Sequence, residues 1–126
     1  MSKLDSPVKR WPGSVTLPDY LTWPQVKAWT AAEAEADRLI AEARAAGRVK
    51  KLDEREVLTA ADTANVRIAW LPGVCAIVGE WRLSGLDAVT PETFPATPPR
   101  SAAKLLTWLI DAISRLFDEE EDAPNE

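Results

Sequence analysis

Residues Asn65–Trp81 read NVRIAWLPGVCAIVGEW. On a helix turning about 100° per residue, Val66, Trp70, Val74, Ile77, Val78 and Trp81 share one broad side. The other side carries Ala69, Pro72, Ala76 and Gly79, all small or compact, with Glu80 at its edge. A helix apolar on one side and small on the other is buried on both. The pattern predicts a central helix with the others laid around it, and burial of Trp70, Ile77 and Trp81. Pro72-Gly73 predicts a kink or a break, because Pro has no N–H to give the preceding turn.

Working outward, Thr22-Trp23-Pro24-Gln25 has the form of a capping box with Pro in the first turn. It predicts a first helix to about Ala46, closed by Gly47. On that helix Val26, Trp29, Ala32, Ala36, Leu39, Ile40 and Ala43 share a side, and Glu33, Glu35, Asp37, Arg38 and Glu42 face out. A further helical stretch is expected to start near Asp53 or Leu58 and lead into the central one. Residues 87–100 carry Pro91, Pro95, Pro98 and Pro99 and predict a loop anchored by Phe94. Ser101 can cap a last helix, Ala102–Phe117. At the start of the chain, Ser14–Leu17 alternates and suits a short extended piece, which Pro18 bars from the middle of a sheet. The expected fold is mainly α: a compact three- to four-helix domain over 14–117 around the central buried helix. A flexible N-terminal arm (1–13), a short extended segment and a flexible acidic tail (118–126) complete it.

The totals exclude more than they assign. A chain of 126 residues with 46% hydrophobic residues can bury one core. A net charge of −5 disfavours nucleic acid, which needs a basic face. The absence of His removes the usual general base and the commonest metal ligand. One Cys cannot close an internal disulfide. No run approaches the roughly 18 apolar residues of a membrane span, and the first residues lack a signal-peptide core. These features predict a cytoplasmic protein that is not an enzyme and carries no cofactor or metal.

Several charged or reactive residues have plainer readings. Glu33 and Asp37 lie four apart, as acid–base pairs can, but on a wholly charged, solvated face. Asp118–Asp122 lacks the ligand alternation of a calcium loop and reads as a solubilising run. Cys75 has no base to activate it and reads as a packed thiol. The cations Arg44, Arg48, Lys50, Lys51 and Arg55 are interrupted by Asp53, Glu54 and Glu56. Arg67 stands out, because it falls within the apolar arc between Trp70 and Val74. A charge there must snorkel, stack on a Trp, pair with a carboxylate such as Asp62 or Glu80, or meet a partner.

Four phrases carry a family resemblance: GSVTLPDYLTWPQV (Gly13–Val26), LPGVCAIVGEWRLSGL (Leu71–Leu86), TPETFPATPPRSAAKLLTWLIDAISRLF (Thr90–Phe117), and the acidic ending in PNE. Their order resembles the tail assembly chaperones of long-tailed bacteriophages and prophages. The resemblance implies a mainly helical, non-enzymatic protein of the infected bacterial host's cytoplasm. Such a protein binds the tape measure protein, keeps it soluble, helps recruit tail tube protein, and is not part of the mature virion. Many such families also make a longer form by ribosomal frameshifting. It supplies no catalytic or binding motif to map onto this chain. The alternatives are a permanent structural component of a phage tail or virion, and a small acidic nucleic-acid mimic.

The last helix is apolar over an arc of roughly 200°, wider than the roughly 100° that a surface helix needs. Leu105, Leu109, Ala112 and Leu116 can pack inward. Leu106, Ile110, Ile113 and Phe117 are then left for a partner, either a second copy of the chain or a tape-measure-like helix. Alternatively the Pro-rich loop and the N-terminal arm, with Phe94 and Trp11, cover both flanks.

Overall fold

The computed structural model describes residues 1–87 and 89–121, with side chains to Asp118. In chain order the elements are β1 (Ser2–Asp5), β2 (Gly13–Leu17), α1 (Trp23–Ala45), β3 (Lys50–Leu52), β4 (Arg55–Val57), α2 (Ala60–Ile77), β5 (Glu80–Leu83), a 3-10 turn (Phe94–Ala96) and α3 (Pro99–Glu121). The fold is therefore mixed α/β, and the expected mainly α bundle is corrected. Its described strands form two small antiparallel sheets, β1-β2-β5 and β3-β4.

The expected helix Asn65–Trp81 is two elements. α2 begins earlier, where the Thr59 hydroxyl accepts the Asp62 N–H at 3.0 Å. It runs unbroken through Pro72 and stops at Ile77, and Val78 is already extended (φ −64°, ψ 125°). The next donors turn to β2. Gly79 N–H bonds the Thr16 carbonyl at 2.9 Å, and Glu80 N–H bonds Thr16 Oγ1 at 2.8 Å. Trp81 then stands opposite Val15 in the sheet and is only partly buried, as is Trp70, whereas Ile77 is fully buried.

The expected loose arm at 1–13 is also corrected. β1 pairs with β2 from Ser2↔Leu17 to Asp5↔Ser14, and Val8 and Trp11 are buried. At the start of β2, Gly13 has φ +135°, and a Cβ there would fall on the Arg82 carbonyl oxygen of β5. That position admits no side chain without parting two strands.

α1 and α2 are antiparallel. Gln25 at the start of α1 reaches the Ala76 carbonyl near the end of α2 (3.3 Å), and Arg48 just beyond α1 pairs with Asp62 in the first turn of α2 (2.9 Å). α1 ends as expected at Gly47 (φ +72°), with Arg48 N–H bonded to the Ala43 carbonyl and Gly47 N–H to that of Arg44. The helices pack tightly at Gly73, where an added Cβ would lie 2.9 Å from Ala32 Cβ and 3.1 Å from Trp29 Cε3. The pair Pro72-Gly73 thus marks a close helix contact instead of a break. Trp29 caps this contact, its ring 4.9 Å from that of Trp70 and 6.1 Å from that of Phe117.

At the far tip, β3 and β4 form a hairpin. Its two turn residues, Asp53 and Glu54, have φ of 49° and 65°, the sign pattern of a type I′ turn. Every residue of both strands is exposed. α3 starts before Ser101 and continues past Phe117 to Glu121, so the first part of the expected flexible tail is helical. Residues 122–126 lie outside the described residues. The core joins Val15, Leu71, Val74 and Ile77 to Leu105, Leu106, Leu109 and Ile113 of α3.

Gly73→Ala is expected to destabilise by about 1–3 kcal/mol through overpacking, despite the better helix propensity of Ala. Adding Ala32→Gly should recover part of the loss. Urea unfolding of the parent, the single variant and the pair checks both, and a Gly73→Ala as stable as the parent would contradict the close contact.

Candidate binding surfaces

The residues considered for chemistry are not assembled into a reactive site. Glu33 and Asp37 are exposed on α1. The Cys75 thiol donates to the Val89 carbonyl (3.4 Å), and burial, with the Glu92 charge nearby, pushes its pKa up, which disfavours the thiolate. Among the described residues, no group of His, Cys, Asp and Glu could hold a metal ion. None of the described helices is long and apolar enough to cross a membrane.

The flank assigned to a partner is corrected. Leu106 and Ile113 are fully buried, and Ile110 and Phe117 are partly buried against the core. The reason is the material that covers them. Phe94 and Trp11 join the same core cluster, as do Val15, Leu17 and Leu83 of the sheet. Leu4 and Leu17 of the sheet line a shallow recess with Ala112 and Leu116 of α3. The wide apolar arc is thus used from two sides within one chain.

Two of the five cations in the connection between α1 and α2 are paired. Arg44 pairs with Glu56 at 2.6 Å, and Arg48 with Asp62 at 2.9 Å. The Arg48 hydrogen bond, with the Thr59 hydroxyl, holds the Asp62 carboxyl below its ordinary value, so this tie is complete at neutral pH and is lost as acid protonates it. Lys50, Lys51 and Arg55 stay exposed on the hairpin.

Two other surfaces remain. The first is an aromatic corner before and at the start of α1, where Tyr20 is 72% and Trp23 81% exposed. The backbone that carries Trp23 is held in place. Gln25 Oε1 accepts the Thr22 N–H at 2.9 Å, Pro24 fixes the first turn, and the Gln25 amide is tied to Ala76. The capping box at Thr22 was legible in the sequence. The outward direction of Trp23 was not, because a Trp beside an apolar run reads equally well as core.

The second is a cleft of about 150 Å³ between α2 and the loop that leads into α3. Ala64 and Ile68 form one wall, and Phe94, Pro95, Ala102 and Ala103 form the other. Arg67 lies at its edge and also lines an adjoining recess with Lys104, Trp108 and Asp111. Neither carboxylate expected beside Arg67 is there: Asp62 is taken by Arg48, and Glu80 by Arg82 (2.9 Å). No known protein family, curated sequence or solved structure matches the chain. Both surfaces are therefore read from their own chemistry.

Replacing Leu106 and Ile113 together by Glu is expected to unfold the chain, because each carboxylate would enter an apolar interior at a penalty on the order of several kcal/mol. Circular dichroism and size-exclusion chromatography check this. A folded double variant would return the flank to the surface.

Proposed function

We propose that the chain is a non-enzymatic assembly factor, a tail assembly chaperone of a long-tailed phage that binds the tape measure protein and assists tail assembly. The observation that carries the binding role is the Tyr20–Trp23 corner. A Trp that is 81% exposed, on a helix start whose backbone is ordered by a capping box and by a second helix, presents a flat apolar surface to a partner. Aromatic anchors of this kind dominate the energetics of protein interfaces. The identity of the partner comes from the resemblance of Gly13–Val26, Leu71–Leu86 and Thr90–Phe117 to the chaperone family. It is also consistent with the absence of His and with an inert Cys75. On this reading the protein works in the host cytoplasm, meets the tape measure protein there, helps bring tail tube subunits to it, and is left out of the finished particle.

Co-expression with the long helical tape measure product tests the role. The parent is expected to co-purify with it and to be missing from purified particles. Replacing Tyr20 and Trp23 together by Ala should leave the melting temperature within about 2 °C, since surface changes are small, while weakening capture by about tenfold or more. Equal capture by the double variant would remove the corner from the interface. Stoichiometric presence in particles would replace the chaperone by a structural component.

A further inference from the structure

Arg67 is the one basic side chain that the fold draws inward. The chain has 15 Lys and Arg residues, all described, and every one but Arg67 is exposed. At the surface, Arg38, Arg44, Arg48 and Arg82 each hold a carboxylate at 2.6–2.9 Å. Arg67 has neither an ion pair nor a hydrogen bond among the described residues, and it stacks on no described aromatic ring. Arg10, Arg55, Arg100 and Arg115 also make no ion pair among the described residues, but they are exposed, where water serves them; Arg67 alone is both partly covered and unpaired. A partly covered guanidinium with no counter-charge among the described residues leaves its fork of donors available to a bound group.

The surroundings define that group. Guanidinium presents its donors in a planar fork that matches a carboxylate. Beside it the cleft walls are Ile68, Phe94, Pro95 and Ala102, which suit an apolar group. About 150 Å³ is small beside the roughly 300–1,000 Å³ of pockets that enclose whole cofactors. The adjoining recess shares Arg67 and Ala103 with this cleft and brings in Lys104, a second positive charge, and Asp111, which makes no ion pair with Arg67. We propose that this cleft binds a linear peptide segment whose carboxylate is held by Arg67 and whose neighbouring bulky apolar side chain fills the space over Ile68, Phe94 and Ala102. The site shares no lining residue with the Tyr20–Trp23 corner, and it does not depend on the chaperone reading.

A random library of linear twelve-residue peptides, displayed on yeast, is selected for binding to the full chain and against binding to Arg67→Met. The unliganded Arg67→Met protein is expected to melt at or above the temperature of the parent, since an apolar side chain replaces an unpaired charge. A clear fall in melting temperature would make Arg67 structural and overturn the proposal. Discriminating peptides are expected to share an Asp or Glu within two positions of Leu, Ile or Phe. Changing that acid to its amide should weaken binding to the parent by about tenfold or more, the scale of a charge-assisted pair. The same change should make no difference to Arg67→Met. Failure to obtain discriminating peptides, or peptides that discriminate without an acid, overturns the proposal. So does a labelled single-stranded twenty-nucleotide DNA that binds the parent and is lost in Arg67→Met, because the ligand would then be a phosphate backbone.

Discussion

Thr16 accepts twice at the point where α2 becomes β5. Its carbonyl takes the Gly79 N–H and its hydroxyl takes the Glu80 N–H. Once the helix ends at Ile77, the N–H groups of Gly79 and Glu80 have no helical acceptor and turn to β2. These two bonds give the chain somewhere to go and fix the register Thr16↔Glu80 and Val15↔Trp81. Once β5 is in place, β2 is the central strand and β1 closes its other edge. The sheet then supplies the second surface against which α3 packs. The helical hairpin and the sheet are therefore joined at Thr16 as well as through the core they share, and the apolar arc of α3 is satisfied only because both are present.

Much of the helical content was legible, because it rests on local signals. The capping box at Thr22, the Gly47 terminus and the apolar period of the last helix each act over a few residues. The sheet was not legible, for reasons that differ by strand. In β5, Trp81 and Leu83 alternate with Glu80 and Arg82, but Val78 and Trp81 also fit a helical side, and four residues cannot separate the two periods. β1 is polar and exposed, so its pairing comes from β2 and from the burial of Val8 and Trp11 farther on. The β3–β4 turn uses Asp53-Glu54, without the Gly or Asn that usually announces positive φ. Gly73 was misread because a helix-breaking pair and a close helix contact are the same two letters; what separates them is Ala32 on another helix.

The site residues divide the same way. Arg67 was conspicuous from its place in an apolar arc, and the structure keeps it conspicuous while removing both proposed carboxylates. The flank of Leu106 and Ile113 was misassigned because helix composition does not reveal how many sides are covered. Trp23 carried no outward signal at all. What the fold leaves accessible includes an aromatic corner, a cleft lined in part by a cation, and a hairpin of mixed charge.

That hairpin buries no residue of either strand, and a lone two-stranded hairpin is marginal in water. Its attachment to the body runs through Arg44–Glu56, while Arg48–Asp62 and the Thr59 cap secure the helix beneath it. The helices on either side are already clamped at the end away from the hairpin by the contact at Gly73 and the Gln25–Ala76 bond. The peptide link at Asp53–Glu54 is therefore dispensable to the packing of α1 on α2. The chain could be opened there to receive an inserted domain or a spectroscopic label, with the core left to assemble from both sides of the insertion.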